Sequence, residues 1–221
     1  MTADSNPTAA NSPGRVLVTG GASGLGAAVV DAVLKAGGTP VVLDRDISTV
    51  SAVKEAAESL GGLEAVVTAA GIDRCGKLAD VEATEWEKVI GVNLMGTVSV
   101  VRAALPYLKA SHGRVVTIAS TLGKRAVADA TAYCASKFGV VGFSHALAAE
   151  TGGEIGVTTI IPGGMKTRFF DDRTEQYKPQ DDSRLNDPAN TAQAILFALN
   201  QPTGCEVREM LICHEEEGSW P

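Results

Sequence analysis

Arg15-Val16-Leu17-Val18-Thr19-Gly20-Gly21-Ala22-Ser23-Gly24-Leu25-Gly26 is the stretch that decides the fold. Its first five residues are mostly apolar and β-branched and read as a buried strand. The strand runs straight into a glycine-rich turn, and an Ala/Val-rich helix follows. Glycines there allow a tight turn, close approach of the backbone to a pyrophosphate, and close packing of helix on strand. The helix N-terminus adds N–H donors and the positive end of its dipole. No Gly-Lys-Ser/Thr sequence follows, which argues against the phosphate loop of nucleotide hydrolases.

Outward from this turn, strand-like and helix-like segments alternate along the chain. The apolar runs predict strands over 15–19, 40–44, 63–68, 114–119, 157–161 and 207–213. Between them, the spacing predicts helices over 24–36, 50–60, 83–109, 131–151 and 188–200. Such alternation implies right-handed βαβ units and an α/β doubly wound parallel sheet in a single domain. The second strand ends on Asp44, eighteen residues past Gly26. A carboxylate there accepts hydrogen bonds from adenosine ribose hydroxyls and repels a 2′-phosphate, favouring NAD over NADP. Arg45 beside it pulls the other way, since a guanidinium binds that phosphate.

Composition bounds the rest. The 221 residues are 45% hydrophobic, enough for one buried core, and carry a net charge of −7. No dense basic run is present, which argues against a nucleic-acid or membrane-surface partner. Residues 1–13 are small and polar with no basic start and no apolar run, and read as a flexible leader on a cytoplasmic protein. Cys75, Cys134, Cys205 and Cys213 fall at unrelated spacings, so neither a metal site nor a disulfide framework is indicated. His112, His145 and His214 are isolated and read as surface or packing residues.

Tyr133 precedes Lys137 by four residues, and Ser120 lies thirteen before the tyrosine. Positions i and i+4 share a helix face, so the ammonium sits near the phenol. Two unit charges about 6 Å apart at an effective dielectric of about 20 interact by roughly 3 kcal/mol, or about two pKa units. The spacing therefore predicts a tyrosine whose pKa falls toward neutrality and which exchanges protons.

With turn, acidic strand end and Ser/Tyr/Lys spacing in place, residues 15–213 resemble the short-chain dehydrogenase/reductase family in its NAD(P)-dependent Rossmann form. Thr19-Gly20-x-x-x-Gly24-x-Gly26 is similar to its cofactor turn, and Val92-Asn93-Leu94-Met95-Gly96 to the segment carrying its active-site asparagine. Ser120 and the Tyr133/Lys137 pair match its serine and its Y-x-x-x-K. Pro162-Gly163 with Thr167 matches the loop that in the family contacts the nicotinamide carboxamide. The resemblance implies that Tyr133 passes a proton to or from the substrate oxygen while hydride moves between the substrate and nicotinamide C4, and that Ser120 orients that oxygen. It implies further that Lys137 holds the nicotinamide ribose and that Asn93 positions a water linking Lys137 to solvent. The implied activity is NAD(H)-dependent oxidation of a secondary alcohol or reduction of a ketone. An NADPH-dependent 3-oxoacyl thioester reductase and a redox-inactive dinucleotide sensor on the same scaffold are the alternatives.

The chain departs from the family's pattern in two places. Thr68-Ala69-Ala70-Gly71 stands where Asn-Asn-Ala-Gly is usual, leaving backbone contacts from Ala69, Ala70 and Gly71 to cradle the adenosine ribose. Between Asp44 and Gly71 there is room for one helix only, so one βα unit is missing and a six-stranded sheet with the second strand at its edge is expected. Asp46-Ile47-Ser48 reads as a remnant of the lost strand. The charged stretch 166–187, with Phe169, Phe170 and Tyr177, lacks periodicity and reads as a substrate lid. Lys124 and Arg125 follow Ser120 and are placed near the pocket rim. By resemblance, the two long helices form dimer or tetramer interfaces.

Overall fold

The computed structural model describes residues 12–44 and 50–220. Among these, six strands form one parallel sheet: β1 (Arg15–Thr19), β2 (Thr39–Leu43), β3 (Ala65–Thr68), β4 (Arg114–Ile118), β5 (Gly156–Pro162) and β6 (Glu209–Ile212). Their order is β2-β1-β3-β4-β5-β6. Helices α1 (Gly24–Lys35), α2 (Val50–Leu60), α3 (Ala83–Ile90), α4 (Thr97–Ser111), α5 (Thr131–Thr151) and α6 (Pro188–Leu199) cover the two faces.

Alternate strand residues feed opposite cores, which is why the central strands are apolar throughout. Val16, Val18, Val67, Val116 and Ile160 pack with Val29, Val33, Ile195 and Leu199 from α1 and α6. Leu17, Val66 and Val115 pack on the other face with Val53, Ala57, Val100, Leu108 and Leu147 from α2, α4 and α5. The sheet order reverses between β1 and β3, and their carboxyl ends open a crevice at that point. A Cβ on Gly20 would stand 2.8 Å from the Ala70 Cα, so the turns after β1 and β3 touch backbone to backbone.

The shortened edge is as expected: β2 is terminal, and α2 alone connects it to β3 among the described residues. The strand remnant expected at 46–48 lies outside the described residues, as do Arg45 and residues 1–11 of the leader. Ser12, in the expected leader, donates from Oγ to the Gly37 carbonyl at 3.0 Å.

The predicted helix over 83–109 differs. It is α3 and α4 joined by a π-helical turn, Gly91–Gly96, that contains Asn93. One extra residue per turn is invisible to a 3.6-residue apolar period, and such turns concentrate at functional sites. The span Ala83–Ser111 is long and apolar enough to cross a membrane, but Val100, Val101, Ala104 and Leu108 in it face the sheet. Strand ends also shift: β2 stops one residue before Asp44, and β6 is trimmed to 209–212.

Candidate active site

A cleft of about 1020 Å³ opens at the carboxyl ends of β1, β3, β4 and β5. The sequence-predicted residues Gly20, Ser23, Gly24, Leu25, Ala69, Ala70, Gly71, Ser120, Tyr133, Lys137, Pro162, Gly163 and Thr167 all line it. The glycine-rich turn forms one end. Gly24 takes φ +52 at the start of α1, and a Cβ there would lie 3.5 Å from Thr167 Cγ2, so the turn and the segment after β5 face each other closely.

The remaining predicted cofactor residues stand behind or beside this wall. Gly26 packs under the turn, where a Cβ would lie 2.1 Å from the Gly20 carbonyl oxygen. Its role is helix-to-strand packing. Thr19 Oγ1 accepts from Ala70 N at 3.2 Å and ties the two turns together. Asp44 is exposed beyond β2 and accepts a long 3.4 Å bond from Ala22 N. Among the described residues the Thr68 hydroxyl is buried with no hydrogen-bond partner, at the position where the family's usual asparagine is replaced.

At the other end, α5 presents Tyr133 and Lys137 one turn apart, with Lys137 Nζ 5.6 Å from the centre of the tyrosine ring. Lys137 is 5% exposed and donates to the Ile118 carbonyl at 2.8 Å. Ser120 ends the chain's exit from β4, and its Oγ accepts from Leu122 N at 3.1 Å, capping the short turn Thr121–Gly123. A Cβ on Gly71 would lie 3.7 Å from Lys137 Nζ and 3.5 Å from Asn93 Oδ1, so the backbone after β3 passes directly beside both side chains.

The expected lowering of the Tyr133 pKa is corrected. Burial removes the phenolate from water and pushes the pKa well up, and hydrogen bonding from Ser120 only partly offsets this. The same burial pulls Lys137 down to about 8. The i, i+4 geometry is as predicted; desolvation, which spacing does not encode, dominates both groups.

Asn93 is 1% exposed and does not line the cleft. Its Oδ1 accepts from Ile72 N at 2.8 Å, while Nδ2 donates to the Ile72 carbonyl at 2.9 Å and to Ser136 Oγ at 3.0 Å. It clamps the segment after β3. Lys124 is not at the rim either; it pairs with Glu209 at 2.7 Å, a carboxylate shared with His145 at the same distance. The histidine is therefore not isolated.

Several cleft residues carry no signal in the sequence. Asp73 and Cys75 follow β3, and burial beside Asp73 pushes the Cys75 thiol up to about 12. The C-terminal segment folds into the same cleft. Glu217 accepts from Gly164 N at 2.8 Å, and Ser219 Oγ shares a 2.7 Å bond with Thr121 Oγ1. No periodic signal marks these contacts, which join residues 53 and 98 positions apart.

Comparison with known proteins agrees with this geometry. The short chain dehydrogenase family profile matches residues 46–178. An uncharacterized oxidoreductase of Staphylococcus aureus (strain MW2) is 37% identical over 164 residues, covering 72% of this chain and 68% of that protein. The chain belongs to the short-chain dehydrogenase family. It is thus an oxidoreductase, a nicotinamide-dinucleotide-dependent dehydrogenase acting on CH–OH groups. Solved structures share the fold. An alcohol dehydrogenase of the archaeon Thermococcus sibiricus, complexed with 5-hydroxy-NADP, superposes with TM-score 0.81 at 20% identity, over 92% of this chain and 97% of that one. The ligand-free aldohexose dehydrogenase of Thermoplasma acidophilum gives 0.81 at 20% identity, over 90% and 92%. The family match begins after the glycine-rich turn, so the turn's assignment rests on its own geometry.

Proposed function

We propose that this short-chain dehydrogenase interconverts a secondary alcohol and its ketone with NAD(H), Tyr133 giving and taking the proton. The observation that carries the reading is the convergence of Ser120, Tyr133 and Lys137 on one cleft with the glycine-rich turn. The cradle fits a dinucleotide: a Cβ at Gly20 would stand 2.8 Å from the Ala70 Cα, and Gly24 and Gly71 line the cleft with backbone alone. The N–H groups of the turn and α1 would hold the pyrophosphate, and Asp44 the adenosine ribose. Ala69 to Gly71, Lys137, and Pro162, Gly163 and Thr167 hold the remainder.

When bound, a nicotinamide would supply or accept the hydride. The Tyr133 phenol, kept protonated by burial, donates to the carbonyl oxygen in reduction; in oxidation it passes its own proton toward the neutral amine of Lys137 as it takes the hydroxyl proton. Ser120 hydrogen-bonds the same oxygen, stabilising charge that develops there. Lys137, near its protonation midpoint at about pH 8, stands behind the tyrosine as the next proton carrier. The segment 166–187 acts as the lid over substrate.

Calorimetric titration with NADH and NADPH tests the cofactor assignment. NADH binds more tightly, and Asp44→Asn narrows the gap; a clear preference of the wild-type chain for NADPH removes the role given to Asp44.

A further inference from the structure

Segment 166–187 is stapled at its base, where Lys166 N donates to the Asn186 carbonyl and Asn186 N to that of Gly164. Its middle is held from inside the cleft. Arg173 Nη2 meets Asp73 Oδ2 at 2.6 Å, with the two side chains 18% and 3% exposed. Arg173 Nη1 donates to the Tyr177 carbonyl at 3.2 Å, and Tyr177 OH donates to Asp129 Oδ2 at 3.1 Å. The guanidinium lies over Phe170 at 4.6 Å and Phe169 at 5.4 Å, and the Phe169 ring stands 5.8 Å from that of Tyr133. From the other side, Asn93 clamps Ile72, the residue before Asp73. An unbroken chain of contacts runs Asn93, Ile72, Asp73, Arg173, Phe169, Tyr133.

We propose that Asp73 and Arg173 are positioning residues for the reaction: their ion pair latches the lid over the cleft, seats Phe169 against Tyr133, and presents the tyrosine with a neutralised pair in place of a bare carboxylate. This rests on the reading of Tyr133 as the proton-transfer group.

Three observations support it. With the lid in place the Asp73 side chain is 3% exposed, and although Arg74 N at 2.7 Å and Cys75 Sγ at 3.1 Å also donate to it, Arg173 supplies the charge that neutralises it there. Among the described residues Arg173 Nε is buried without a hydrogen-bond partner, so the closed state is incompletely satisfied and the latch is releasable. Asp73 raises the proton affinity of Tyr133 while Arg173 lowers it, so loss of the arginine alone leaves the tyrosine facing uncompensated negative charge.

The test uses the full chain as wild type, Arg173→Met, Asp73→Asn and the double variant. Amide hydrogen exchange over 168–185 reads the latch without any activity. Steady-state kinetics with NADH and the ketone reduced fastest in a screen read the tyrosine. Arg173→Met speeds exchange in the lid by about tenfold or more while sheet amides stay protected. It also lowers kcat by about 100-fold, with KM changed far less, because placement of the reacting groups and not substrate contact is lost. In the double variant the lid still exchanges fast, but kcat recovers about tenfold because the unpaired carboxylate is gone. Unchanged lid exchange in Arg173→Met, or losses that simply multiply in the double variant, overturns the proposal. If the wild type reduces no ketone with either cofactor, the functional reading fails, and lid exchange alone still decides whether the latch exists.

Discussion

Lys137 is a stability burden built into the site, and its size follows from its surroundings. The side chain is 5% exposed, and burial lowers its pKa from 10.5 to about 8. At about 1.36 kcal/mol for each tenfold change in proton affinity, that difference opposes folding by about 3 kcal/mol when the lysine is charged. Between about pH 8 and 10.5 the unfolded chain binds more protons than the folded one, so this contribution makes stability rise with pH across that window. Below pH 8 the full penalty applies. Lys137→Met removes the charge and so gains on the wild type at pH 7 by as much as about 3 kcal/mol, or about 6–12 °C in Tm for a chain of this size. The lost hydrogen bond to the Ile118 carbonyl adds an offset that is the same at every pH. The measurement is therefore the Tm difference between variant and wild type at pH 7, 8, 9 and 10, read by differential scanning fluorimetry. The variant's advantage shrinks steadily as pH rises through the window. A difference that is flat with pH, or that grows, would refute the placement of a desolvated ammonium at 137.

Gly26→Ala drives a methyl to 2.1 Å from the Gly20 carbonyl oxygen, a backbone atom that cannot step aside without moving the turn. Tm falls by several degrees, corresponding to about 1–3 kcal/mol of overpacking, and NADH affinity measured by calorimetry drops at least tenfold. Met95 and Phe138 are 54% and 45% exposed on the α3–α4 and α5 side of the molecule. We propose this face as the contact between copies; Phe138→Glu lowers the mass seen by light scattering, and an unchanged mass assigns the contact elsewhere.

The fold was legible because its determinants are local. The apolar run Val16-Leu17-Val18, the glycine-rich turn behind it and the long uninterrupted segment at 131–151 are all contiguous in the chain, and the sheet order follows from the connections between such elements. The missing βα unit could be read by counting residues between Asp44 and Gly71. What escaped is non-local. The π turn around Asn93 changes the helical period for one turn only, and no alternation of apolar residues reports it. The Asp73–Arg173 pair joins positions 100 apart, and Glu217 reaches Gly164 across 53. Such charges read as solvated surface until the chain is folded. Direction of titration escaped for the same reason: the i, i+4 spacing places Lys137 beside Tyr133, but the burial that raises one pKa and lowers the other belongs to the tertiary structure.

The central claim is that Tyr133 carries the proton in a nicotinamide-dependent reaction. Tyr133→Phe keeps the ring against Phe169 and removes only the hydroxyl, so NADH binding by calorimetry stays within about twofold while kcat on any ketone that the wild type reduces falls by about 100-fold or more. Retained turnover in this variant, with binding intact, would contradict the account.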